Sequence, residues 1–259
     1  MKLQEQQNKN WDLESVVSFM NFFFGFNPYS YQKRFIEACL KSTRIAAKFP
    51  RQSGKSFMVA NYCLFKSITS IVSIVIVSPT QSQSDELYNK IRDIAIGNPV
   101  INKLIVKDTQ TELKFANGSR IISLPCGNEG RTIRGYTADI VILEESGHLK
   151  DVIVNTVVIP MLASRPNGQI IKIGTPWTRN HFYRSCFEDT NYIVISIDWK
   201  EVVAEGQYTQ VFIDEQRGQL LDIEFQTQYS AEFFSDANSF FPTSILEECK
   251  LSYGMFIIL

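Results

Sequence analysis

The chain has 259 residues, of which 44% are hydrophobic and 20% charged, with a formal net charge of −1. Those proportions are those of an ordinary globular protein with a real core, arranged as one large domain or one domain with small appendages. They exclude a polycation: any contact with DNA must be a local patch of Lys and Arg, which counts against a static DNA coat more than against a device that must also let go.

Residues 1–10 are polar and lack the apolar core of a signal peptide. The strongest apolar stretch, residues 71–77, is far shorter than the ~20 residues of a membrane span. Cys39, Cys63, Cys126, Cys186 and Cys249 form no CxxC pair, and His148 and His181 are the only histidines, so no zinc site is expected. Reduced thiols in an intracellular compartment are the simpler reading.

Residues 11–26 carry Val16, Val17, Phe19, Met20, Phe22 and Phe23 at a density that predicts a buried helix, ended by Asn27-Pro28. A second helix is expected over residues 31–40, with Phe35, Ile36 and Cys39 on one face. Short β-branched runs follow at 44–49, 71–78, 121–124, 140–143, 170–173 and 192–197, most of them separated by enough chain for a helix. Nearly continuous apolar strands alternating with helices indicate an α/β fold with a mostly parallel central sheet. Residues 109–124 depart from that scheme, because Asn117-Gly118 between two short runs predicts an inserted β-hairpin. A helical pattern returns from Gln210, through Phe212, Ile213, Leu220, Leu221 and Phe225. The polar stretch 235–239 then reads as a domain exit, and residues 252–259 begin an apolar run as the first strand of a further domain would.

Pro50-Arg51-Gln52-Ser53-Gly54-Lys55-Ser56 lies between the strand at 44–49 and a helix expected at 57–66. Strand, loop and helix N-terminus are the setting in which backbone N–H groups bind an anion. In such a loop Lys55 would reach the β- and γ-phosphates of ATP, and the Ser56 hydroxyl would bind Mg²⁺. The strict pattern GxxxxGK[ST] begins with a glycine where this chain has Phe49, so the match is incomplete and its context carries the assignment. The alternative is a helix N-terminus with a solvated lysine.

The apolar run 140–143 ends in Glu144-Glu145. In P-loop ATPases the first acid after such a strand holds Mg²⁺ and the next can orient the attacking water, since phosphoryl transfer is catalysed mostly by positioning and charge neutralisation. Two solvated acids at a strand end are the alternative, which the upstream phosphate loop disfavours.

These motifs, with Arg134-Gly135-Tyr136-Thr137-Ala138-Asp139 leading into the acidic strand, resemble the large terminase subunit of tailed bacteriophages and related viruses. Ile173-Gly174-Thr175-Pro176, followed by Asn180-His181-Phe182-Tyr183, completes a resemblance that covers roughly residues 27–241. It implies a RecA-like P-loop NTPase of the additional-strand, catalytic-glutamate type, with a small N-terminal helical subdomain. The implied function is an ATP-hydrolysing motor that drives double-stranded DNA into a procapsid. Such a motor forms a homo-oligomeric ring on the portal protein and works with the small terminase subunit, in the cytoplasm of the infected host cell and off any membrane.

The resemblance also implies roles residue by residue. Gln32, in Pro28-Tyr29-Ser30-Tyr31-Gln32, matches an adenine-reading glutamine; its alternative is an exposed helix residue. Arg51 matches a sensor of the γ-phosphate in a loop completed by Gln52, Ser53, Gly54, Lys55 and Ser56. Arg134, roughly eleven residues before Glu145, matches an arginine finger reaching a neighbouring subunit's ATP, with Arg131 and Arg165 as rivals. Thr175 matches the motif that couples hydrolysis to movement, or is a simple strand cap. Glu145 is the catalytic base, and Glu144 with Ser56 forms the Mg²⁺ side. Residues 1–30 are then a helical lid segment, 31–235 the ATPase domain, and 236–259 a linker and the start of a nuclease domain, so no nuclease activity is expected here.

One departure matters: Glu144 stands where the family usually has Asp. An extra methylene moves a carboxylate by ~1.5 Å, enough to disturb an octahedral Mg²⁺ shell with ~2.1 Å bonds. Either the site accommodates it, through a bridging water for instance, or turnover is slow. A superfamily 1 or 2 helicase shares the glutamine, loop and acidic-strand features, but no second RecA-like domain fits after Phe241. An ATP-dependent DNA clamp with little turnover and a metabolic P-loop kinase are the remaining expectations.

Overall fold

The computed structural model describes residues 11–127 and 130–234. The expected domain exit at 235–239 and the apolar run at 252–259 lie outside the described residues.

The first helix, α1 (Leu13–Phe24), begins where the Asp12 carboxylate accepts the Ser15 N–H at 2.8 Å. It ends at Gly25, whose φ of +64° favours glycine and lets its N–H return to the Asn21 carbonyl. Val16 and Met20 are buried, but Phe22 is 80% exposed. The helix is thus half buried rather than buried, because six apolar residues among eight cannot share one face of a 3.6-residue turn. Its inner face meets α2 (Ser30–Lys41) and α3 (Lys55–Thr69), with Phe19 edge-on to Trp11 and Phe65.

The strands are β1 (Arg44–Lys48), β2 (Ser73–Ser78), β3 (Ile105–Asp108), β4 (Glu112–Phe115), β5 (Arg120–Pro125), β6 (Ile140–Leu143), β7 (Gln169–Gly174) and β8 (Ile193–Ser196). They form one sheet in the order β3-β4-β5-β2-β6-β7-β1-β8. From β5 to β8 every pairing is parallel; β3 and β4 are antiparallel additions at one edge. Asn117-Gly118 does turn β4 into β5 as the sequence predicts, yet β5 also pairs in parallel with β2 and belongs to the central sheet. Strand β3 has no sequence signal: of its four residues only Ile105 is even half buried, so nothing alternates.

On one face of the sheet Ile45, Ala47, Ile74, Ile76, Ile142 and Ile173 pack under α2, α3 and α4 (Gln81–Gly97), which continues into the short α5 (Pro99–Asn102). On the other, Val75, Val77, Val141 and Ile170 pack under a run that is helical from Asp151 to Leu162. This run opens as α6 (Asp151–Ile153), passes through a π-helical turn (Val154–Val158) and tightens to a 3₁₀ turn (Ile159–Leu162) that contains Pro160. Next come α7 (His181–Phe187), packed on β1, and then α8 (Trp199–Ala204), α9 (Gln210–Gln219) and α10 (Asp222–Gln228). Among the described residues no helix is long and apolar enough to cross a membrane.

Candidate active site

Between β1 and α3 the chain makes a loop whose shape is set by φ angles of +57° at Gln52 and +77° at Gly54. The positive φ at Gly54 favours glycine, and a Cβ there would lie 2.7 Å from the Gln32 Nε2, which would have to shift. Phe49, at the position of the missing first glycine, is fully buried and edge-on to Tyr31 and Phe35. The loop is held from several directions. The Tyr31 hydroxyl donates to the Ser53 carbonyl at 3.0 Å, and Ser53 Oγ donates to the Pro50 carbonyl at 2.8 Å. The Arg51 N–H donates to the Gln228 carbonyl at 2.9 Å, while its guanidinium reaches Gln228 Oε1 at 3.2 Å. The Tyr208 hydroxyl donates to the Arg51 carbonyl.

Gln32 is not an exposed helix residue: it is 2% exposed, and its Oε1 accepts the Tyr29 N–H at 3.0 Å. That leaves the Nε2 beside Gly54.

Parallel pairing of β6 with β2 and β7 carries Glu144 and Glu145 to the same edge of the sheet as the start of α3. Ser56 Oγ donates to Glu144 Oε1 at 2.8 Å, with Ser78 Oγ 3.5 Å from the other oxygen. Lys55 forms an ion pair with Glu145, both largely removed from solvent. Burial pushes the Glu144 carboxyl up to about 7, against the Ser56 hydrogen bond and the Lys55 charge, which lower it. Glu145 also feels burial, but the Lys55 charge and hydrogen bond and the facing Thr175 N–H hold it below the usual carboxylate range. The two neighbours thus differ: burial resists the ionisation of Glu144, while Glu145 is held as a carboxylate by Lys55. Ser56 Oγ and Glu144 Oε1 are hard oxygen donors at close to the ~3 Å spacing of adjacent ligands in an octahedral Mg²⁺ shell. The extra methylene of Glu144 therefore does not keep its carboxylate from Ser56.

Beside this pair lies a cleft of about 250 Å³ lined by Arg51, Gln83, Glu145, His148, Thr175 and Trp177, with Thr227 and Gln228 closing it. Arg51, Thr175 and Glu145, distant in sequence, are thereby brought together. Arg134 is not among them; it is exposed, follows the 3₁₀ turn Arg131–Ile133, and makes no ion pair among the described residues. Arg165 pairs with Asp139 at 3.1 Å, at the N-terminal end of β6 and away from this cleft. Sequence reasoning passed over Gln83, His148, Trp177, Thr227 and Gln228. Only His148, three residues past Glu145, carried a signal; its ring lies 5.2 Å from that of Trp177.

Comparison with known proteins follows the same lines. Residues 47–248 match the family described as "Terminase large subunit, T4likevirus-type, N-terminal". No curated protein sequence matches the chain. Among solved structures, the large terminase ATPase domain of Thermus phage P74-26 is 20% identical, with a TM-score of 0.69 over 83% of this chain and 97% of that one. The large terminase of bacteriophage HK97 is 16% identical, with a TM-score of 0.71 over 87% of this chain and 57% of that one. A large terminase from a thermophilic bacteriophage, solved in complex with ADP, is 9% identical, with a TM-score of 0.63 over 80% of this chain and 54% of that one. The chain thus spans little more than half the length of the last two. Its phosphate loop and paired carboxylates stand within the matched segment, and the chain belongs to the T4-like large terminase subunits as their N-terminal ATPase domain, the motor of DNA packaging.

Proposed function

We propose that this domain hydrolyses Mg²⁺-bound ATP at the junction of β1, β6 and α3 to move double-stranded DNA into a procapsid. The observation that carries the reading is the convergence of Lys55 and Ser56 on Glu145 and Glu144. In this reading Gln52, Ser53 and Gly54 offer backbone N–H groups to the phosphates, and Lys55 leaves Glu145 for the β- and γ-oxygens. Glu145, released as a carboxylate, orients the attacking water and accepts its proton. Ser56 and Glu144 hold Mg²⁺, which when bound neutralises charge on the phosphates. Gln32 reads the adenine from beside Gly54, Arg51 answers to the γ-phosphate from the cleft, and Thr175 passes the change at Glu145 to the β7 loop.

The exposure of Arg134 suits a finger directed at a neighbouring subunit, and so a homo-oligomeric ring. The portal protein and the small terminase subunit are the further partners, and the host cytoplasm the place of action. Residues 1–30 as a lid segment, 31–235 as the ATPase domain and 236–259 as a linker to a nuclease domain remain the proposed division. One observation favours a second reading, a nucleotide-dependent clamp: the first acid is Glu144 and burial resists its ionisation.

Mg²⁺-dependent phosphate release by the purified chain separates the two, with Lys55→Ala and Glu145→Ala as controls. Release lost in both variants is the expected result. Tight ATP binding without release in the unmodified chain, even with DNA present, would establish the clamp instead.

A further inference from the structure

We infer that Asn180 is a positioning residue for hydrolysis, clamping the turn that carries Glu145 to the first turn of α7. The inference rests on the proposed role of Glu145. The side chain of Asn180 is used at both ends. Its Oδ1 accepts the N–H groups of Phe182 and Tyr183 at 2.9 and 3.5 Å, capping α7. Its Nδ2 donates to the Gly147 carbonyl at 2.8 Å and lies 3.4 Å from that of Leu149. Chemistry fixes this orientation, because N–H donors crowd one end of the amide and carbonyl acceptors the other.

The clamped turn has little other latitude. Glu145 sits at φ +47°, a strained conformation for a residue with a side chain, and the chain then makes a 3₁₀ turn, Ser146–His148. That turn lies directly against the loop after β7. A Cβ on Gly147 would come 2.6 Å from the Thr175 carbonyl, and one on Gly174 would come 2.8 Å from the Ser146 nitrogen and 3.0 Å from the Glu145 Cα. Two glycines therefore let the Glu145 turn and the Thr175 loop touch through their backbones. Asn180 is the side chain that bolts the assembly to α7. Asp151 adds a second tie, accepting the His181 N–H at 2.6 Å and pairing with Arg184. A shift of α7 is transmitted to the Glu145 carboxylate through these contacts, and a loss of the clamp lets that carboxylate wander while the phosphate loop is untouched.

A helix cap alone predicts something different, which makes the test sharp. Asp and Ser cap helices about as well as Asn, but neither can donate to Gly147 as the amide does. The experiment is steady-state ATP turnover with separate measurement of ATP binding and thermal unfolding, on Asn180→Asp, Asn180→Ser, Asn180→Ala and Glu145→Gln. In all three Asn180 variants kcat should fall by about ten- to hundredfold while the Kd for ATP stays within about twofold. Asn180→Asp and Asn180→Ser should unfold within a few degrees of the unmodified chain. Full kcat in Asn180→Asp and Asn180→Ser, with Glu145→Gln inactive, would reduce Asn180 to a cap and overturn the inference. A loss confined to ATP binding would overturn it as well. Turnover retained by Glu145→Gln would instead remove the assignment of Glu145, and the clamp's purpose with it.

Discussion

The two ends of β6 carry similar side chains and come to opposite uses. At the N-terminal end Asp139 accepts the Ser73 N–H at 2.8 Å and pairs with Arg165 at 3.1 Å, with both partners partly in solvent. At the C-terminal end Glu144 is 4% exposed against Ser56, and Glu145 holds Lys55. Direction makes the difference. In a parallel sheet all the C-terminal ends face one side, and there the N-terminus of α3 supplies unpaired N–H groups and the positive end of its dipole. A carboxylate at that end meets a lysine, a hydroxyl and the glycine-bearing loop that opens α3. At the other end it meets a surface guanidinium, a pairing that contributes little in water.

This contrast can be broken or sharpened by substitution. The largest effect is expected at the C-terminal end, where Glu145→Ala should lower ATP turnover by about 10²–10⁴-fold; measured phosphate release near the starting value would erase the distinction between the two ends. Next comes Gly174→Ala, whose new Cβ would meet backbone rather than a yielding side chain. Denaturant unfolding should show a loss of about 1–3 kcal/mol.

A smaller, pH-dependent effect is expected from His181 on α7, where burial and then the Lys172 charge depress the imidazole to about 3. Its folded pKa lies below the unfolded value near 6.5, so the unfolded chain takes up a proton that the folded chain refuses. The His181 contribution to stability should therefore be lost as pH drops below about 6.5, by at most ~1.4 kcal/mol per unit. His181→Gln should remove that contribution, read as the difference between the unfolding titrations of the two chains above pH 5, because the Glu144 carboxyl, raised to about 7, adds a slope of opposite sign to both. The smallest effect is expected at the N-terminal end of β6: Arg165→Ala should change stability by less than ~1 kcal/mol and leave turnover within about twofold. A tenfold fall in turnover on an oligomer would make Arg165 a finger after all and overturn the contrast.

Much of this architecture was legible beforehand. The apolar runs located six of the eight strands, and Asn117-Gly118 located the turn between β4 and β5. What was missed had no local signal. Strand β3 is nearly all exposed, and Phe22 points to solvent from a helix whose composition suggests burial on every side. In the site, the loop and the acidic pair were readable, because each is a short run of residue types whose chemistry demands neighbours in sequence. The placement of Gln228 on Arg51 was not, since 177 residues separate them.

The sequence by itself located most of the strands, the glycine-bearing loop at 50–56 and the paired acids at 144–145, because periodicity, glycine and charge act within a few residues. Only the tertiary structure decided that Glu144 meets Ser56, that Gln32 is buried under Gly54, and that Gly147, Gly174 and Asn180 seat the Glu145 turn. Those arrangements depend on which strand lies beside which and on how closely two backbones approach. Packing sets such distances across the sheet, and no short window of sequence contains them.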